Sequence, residues 1–137
     1  SCMNLIAVKH LQKNDVDAIE KLKGFFDELV NHIEQKQCKG GCGLGNLAQE
    51  LADINENYRK KIDLCFRTIE EKLSKVLESF AIGAKFINGM NSEQMAIFIL
   101  SSWEGAVLRS KITRTMDPIL FFKKNLFNNL LKKGVNL

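Results

Sequence analysis

Apolar residues recur along most of this chain at steps of three and four. Val16, Ile19, Leu22, Phe26, Leu29, Val30 and Ile33 fall on one face of a helix predicted from Val16 to Gln37, with Asp15 as its expected N-cap. Leu5 to Leu11, ahead of it, is apolar enough to be the tail of a preceding helix. Lys39-Gly40-Gly41-Cys42-Gly43-Leu44-Gly45-Asn46 stops the first periodic segment, because clustered glycines end helices and favour turns. A short helix, Leu44 to Leu51, follows, with a break at Asp53 to Glu56. Tyr58, Ile62, Cys65, Phe66, Ile69, Leu73, Val76, Leu77 and Phe80 then keep helical period through a long helix from Glu56 to Ile82, and Gly83 and Gly89 mark its end. Asn91, three residues before Gln94, has the pattern of a capping box and opens a helix to about Thr113. Asp117-Pro118 reads as N-cap and first-turn proline of a last helix, Ile119 to Lys133, stopped by Gly134. No strand-like alternation and no repeat interrupts this pattern, so the predicted fold is all-α with about five helices.

Two of these segments lack a polar side. Met95 to Leu100 and Ile119 to Phe122 are apolar all round. Such a helix must be covered all round, and in so small a domain part of the cover is expected from a second copy. Two antiparallel helices from each of two chains would form a four-helix bundle.

Composition narrows the function classes. The 137 residues hold one proline, Pro118, and a net charge of +4. Lys72 and Lys75 stand among Glu70, Glu71 and Glu78, and Lys21 and Lys23 among Asp17, Glu20, Asp27 and Glu28, as on solvated helix faces. Only the pair Lys132-Lys133 is one-sided, so the chain has no basic stripe of the kind that tracks nucleic acid. No apolar run reaches membrane-spanning length. The opening Ser1-Cys2-Met3 is given no functional weight. Cys2, Cys38, Cys42 and Cys65 are expected as reduced thiols in a cytoplasmic protein.

Specific chemistry is sparse. Gly41, Gly43 and Gly45 lack the preceding strand and the third glycine of a dinucleotide loop. Cys38, Cys42 and His32 fall short of a metal-ligand set, and neither metal nor cofactor is expected. A thiol switch between Cys38 and Cys42 is conceivable across the flexible glycines. His10 and His32 are distant from each other and no nucleophile–base pair stands out, so no enzyme is predicted. Glu104, in an apolar helix, has three readings: a pair with Arg109, a pair with a charge on a second copy, or exposure to water.

Two motifs point further. Gly41-Cys42-Gly43-Leu44-Gly45-Asn46-Leu47-Ala48-Gln49-Glu50-Leu51-Ala52-Asp53 resembles the opening of the short second helix in the C-terminal domain of TetR-like bacterial transcriptional regulators. That segment often reads Gly-Cys, two apolar residues, Gly-Asn, an apolar residue and Ala; Gly43 departs from it where a large apolar side chain is common. Phe98 to Lys111, containing Trp103-Glu104-Gly105, is similar to the family's dimerisation helix, and Pro118 to Leu131 to the helix after it. The resemblance runs from about Asp15 to Leu131. It implies that residues 15–137 form an effector-binding and dimerisation domain. Residues 1–14 would be the remnant of a preceding helix or linker, and the family's N-terminal helix-turn-helix reader would be absent.

The resemblance thus implies the sensing half of a regulator, most simply a repressor. The first three predicted helices would enclose a small apolar effector against the fourth, with Phe26, Leu29, Ile33, Cys42, Phe66, Ile69 and Trp103 as the wall. Trp103, Ala106, Val107, Ser110, Phe122, Leu126 and Leu130 would form the homodimer contact. DNA would be reached only through the missing domain. The alternatives are a stand-alone helical interaction or lipid-binding module, and the thiol switch.

Overall fold

A computed structural model describes residues 2–132. Six helices follow in order: α1 Cys2–Leu11, α2 Ala18–Gln35, α3 Gly43–Leu51, α4 Glu56–Ala81, α5 Ser92–Thr113 and α6 Asp117–Asn125, the last running into a π-helical turn, Leu126–Leu130. No strand is formed among these residues. α1 packs on α2 and α4, α4 lies along α5, and α6 folds back on α5.

The segment expected as a helical tail is an integral part of this core. Met3, Ile6, Ala7 and Leu11 are all buried at the helical spacing that makes one inward face. Glu28 clips α1 to α2, accepting a hydrogen bond from Lys9 at 2.6 Å and pairing with His10 Nε2 at 3.0 Å. These bonds, the one from Lys9 foremost, hold the Glu28 carboxyl below its usual range.

Caps fix most boundaries. The Asn91–Gln94 capping box forms as the spacing predicts. The cap of α2 is Asp17, whose carboxylate accepts from Glu20 N, and not Asp15, whose φ of 62° lies outside the helix start. Asp117 is the first residue of α6 and not its cap. The expected single helix to Lys133 also needs correction. The α-helical pattern stops at Asn125, where the Asn125 amide donates to Phe121 O and the Asn129 amide to Asn125, so side chains compete with the regular ladder. The wider turn that follows puts Leu126 and Leu131 into the core. Lys133 and Gly134 lie outside the described residues.

The centre of the molecule is aromatic. Phe26 of α2, Trp103 of α5 and Phe122 of α6 form a triangle with ring centroids 5.7, 5.3 and 5.7 Å apart, and Phe25 meets Phe26 edge-on at 4.9 Å. Tilted and edge contacts at such distances suit the ring quadrupoles. Beside the triangle, Lys123 of α6 forms an ion pair with Asp27 of α2. Phe26→Ala would open a void between three helices and should cost about 3–5 kcal/mol in urea unfolding. Asn91→Ala removes only a cap and should cost about 1 kcal/mol.

Candidate functional site

Between α1, α2, α3 and α5 lies an apolar cavity of about 480 Å³. α1 contributes Met3 and Ile6, and α2 contributes Leu29 and Ile33, with His32 and Lys36 at the edge. The glycine turn and the start of α3 contribute Gly41 to Leu44, and Leu47; Trp103 of α5 closes one side. Four of the seven residues expected in the wall are therefore there: Leu29, Ile33, Cys42 and Trp103. The other three are placed elsewhere. Phe26 and Ile69 are fully buried in the packed core, and Phe66 is a half-buried side chain resting on it. Met3 and Ile6 escaped the sequence reading, although their spacing with Ala7 and Leu11 carries the helical signal.

The glycine turn is shaped around Glu104. Gly40 and Gly41 take left-handed φ values of 86° and 63°. A Cβ on Gly45 would stand 2.5 Å from Glu104 Oε2, so any larger residue there would displace the Glu104 carboxylate. Glu104 forms no ion pair with Arg109 or any other side chain among the described residues, and it is not fully exposed to water. It is half-buried, it accepts from the Cys42 thiol, and its Oε1 is buried without a hydrogen-bond partner among the described residues. Burial raises the Glu104 carboxyl above its ordinary value. Burial first, and then the Glu104 charge, pushes the Cys42 thiol up to about 12; the amides of Gly45 and Leu44 pull the other way and are outweighed. Cys38 is turned elsewhere, with Sγ 3.3 Å from Met116 Sδ at the α5–α6 corner. The Cys42 thiol, so resistant to ionisation, is a poor nucleophile at neutral pH.

The seven residues expected at the dimer contact divide differently. Trp103, Val107, Ser110, Phe122 and Leu126 are buried in the chain's own core, while Ala106 and Leu130 are half-buried. On the opposite side of α5 and α6, Ile97, Phe98, Leu108, Ile112, Leu120 and Phe121 are exposed, Phe121 to 70%. Phe121 flanks a groove of about 430 Å³ that also includes Gly105, Arg109 and Asn125, together with Ala106, Phe122 and Leu130 of the expected contact.

The arrangement matches known proteins. The model of the tetracyclin repressor-like C-terminal domain fits residues 18–126. The chain belongs to this family. The HTH-type transcriptional repressor DhaR of Mycobacterium sp. (strain GP1) is 24% identical over 93% of this chain and 62% of its own length. The repressor NemR of Escherichia coli (strain K12) is 25% identical over 80% of this chain and 55% of its own. The chain thus spans less than two thirds of the length of these two relatives, both named as HTH-type transcriptional repressors. The crystal structure of regulatory protein TetR from Rhodobacter sphaeroides superposes with a TM-score of 0.82 at 17% identity, covering 94% of this chain and 68% of that one, so the fold is shared.

The Cys42–Glu104 pair is directly testable. Glu104→Gln removes the charge that opposes the thiolate, so alkylation of Cys42 at pH 8, followed peptide by peptide in a mass spectrometer, should accelerate. Burial remains, so the thiol should still react more slowly than exposed Cys2. An unchanged Cys42 rate would show that the carboxylate does not act on the sulfur.

Proposed function

We propose that this chain is the effector-sensing and dimerisation half of a cytoplasmic one-component transcriptional repressor, and not an enzyme. The observation that carries this reading is the position of Trp103. One side of the indole closes the apolar cavity, and the same ring packs on Phe122 of α6. A small apolar molecule in the cavity therefore touches the helix pair that holds two copies together. Ligand binding shifts an arrangement only by its difference in affinity for two states, commonly about 1–3 kcal/mol. DNA is reached through a helix-turn-helix segment like the one that names the relatives.

Family membership and the exposed apolar side of α5 and α6 support the homodimer. A patch of this kind on a single chain is normally covered by a partner. The contact face we propose is Phe98, Gly105, Leu108, Ile112 and Phe121, with Gly105 allowing close helix approach; the half-buried Ala106 and Leu130 border it. The cavity's proposed ligand wall is Leu29, Ile33, Cys42 and Trp103, extended by Met3 and Ile6. Gly43 enlarges it, because nothing lies within 4 Å of where its Cβ would stand.

Sedimentation at low micromolar concentration should show a dimer. Phe121→Glu should shift it to monomer without unfolding, since the charge would be buried only in the assembly. Val107→Glu should instead unfold the chain. A folded monomer for the unaltered chain contradicts the dimer. A screen of small apolar compounds should find one that raises the melting temperature, and Gly43→Leu should weaken its effect at least tenfold in apparent affinity, on the order of 1.4 kcal/mol.

A further inference from the structure

The cavity is apolar everywhere except along one edge. His32 and Lys36 stand there, four residues apart on α2 and so on one helix face. No carboxylate lines the cavity. Lys9, Lys23, Arg59, Arg67 and Lys123 are each matched by an acidic side chain. His32 and Lys36 have no such partner among the described residues. Glu104, which accepts from Cys42, lines a separate and much smaller space and forms no ion pair with either residue. An apolar space with a one-sided basic rim selects by charge as well as by size.

We propose that the ligand of this cavity is an amphiphilic carboxylate. Its apolar tail lies against Met3, Ile6, Leu29, Ile33 and Trp103, and its carboxylate head sits at the rim, held by the Lys36 ammonium and the His32 imidazole. The proposal rests on the reading of the cavity as the effector site and gives that effector a chemical class. Both basic side chains are solvent-exposed, so the head group is recognised in screened surroundings and contributes selectivity more than tight binding. Affinity comes from the tail. The lysine stem can lie along the apolar edge while its ammonium stays in water.

Octanoate, octanol and octylamine share a tail and differ in the head group. Titrated calorimetrically into the 137-residue chain, octanoate should bind about fivefold more tightly than octanol, and octylamine should be the weakest. The preference should shrink in high salt. A double variant, His32→Ala with Lys36→Ala, alters two exposed positions and should leave the fold intact. It should bring octanoate to the affinity of octanol. Equal binding of all three compounds, unaffected by the double variant but weakened by Gly43→Leu, overturns the carboxylate proposal and leaves the cavity reading standing. No binding of any of them, or binding indifferent to Gly43→Leu, overturns the cavity reading and this proposal with it.

Discussion

The contact among Phe26, Trp103 and Phe122 is the constraint on which the rest of the molecule depends. It is the place where α2, α5 and α6 meet, and its three rings leave no slack between them. Packed interiors of this kind do not deform smoothly; they rearrange between discrete packings. Trp103 belongs both to the triangle and to the cavity wall. A molecule entering the cavity presses on a side chain that cannot move without moving Phe122. α6 carries Phe122 inward and Phe121 outward, so the same short helix faces the core and the exposed apolar side. The Lys123–Asp27 pair fastens it to α2 from beside the triangle.

A second tie joins the cavity's glycine turn to the α5–α6 corner. Gln37 and Cys38 both hold left-handed backbone conformations, with φ of 55° and 60°, which cost non-glycine residues free energy and need compensating contacts. Arg114 supplies one by donating to Cys38 O at 3.2 Å, and Met116 supplies another through the Cys38 sulfur. Glu104 supplies the next link, meeting Cys42 and the backbone at Gly45. A half-buried carboxyl with an unpartnered oxygen is costly to the fold. Its presence where α3 meets α5 makes that contact polar and directional.

Much of the architecture was legible in the sequence because helix periods and caps are local. The Asn91–Gln94 box, the glycine stop after α2 and the long α4 all follow from spacings within a few residues. Asp15 and Asp17 are two residues apart and chemically alike as caps, so only backbone geometry separates them. The face of α5 was not legible, for a physical reason. Where a helix is apolar on every side it has no phase, and Val107 carries no mark that distinguishes it from Leu108. The cavity wall was half legible for a related reason. Phe26 and Leu29 are both apolar and nearly adjacent, yet one fills the core and the other borders space. That difference lies in how helices diverge, which no single helix encodes. α1 was under-read because a segment without strong amphipathicity looks like a tail until α2 and α4 supply its cover.

The central claim is that the space beside Trp103 is a ligand site. Trp103 is the only tryptophan and lines that space, so its fluorescence responds to a dye bound there. Energy transfer from Trp103 to the dye anilinonaphthalene sulfonate should rise and saturate at about one dye per chain, as for a single binding cavity. The same titration on the Gly43→Leu variant should lose most of the transfer while the fold is retained. Transfer that climbs without saturation, and equally in both proteins, would mean that the dye only coats the exposed apolar surface and would contradict the account.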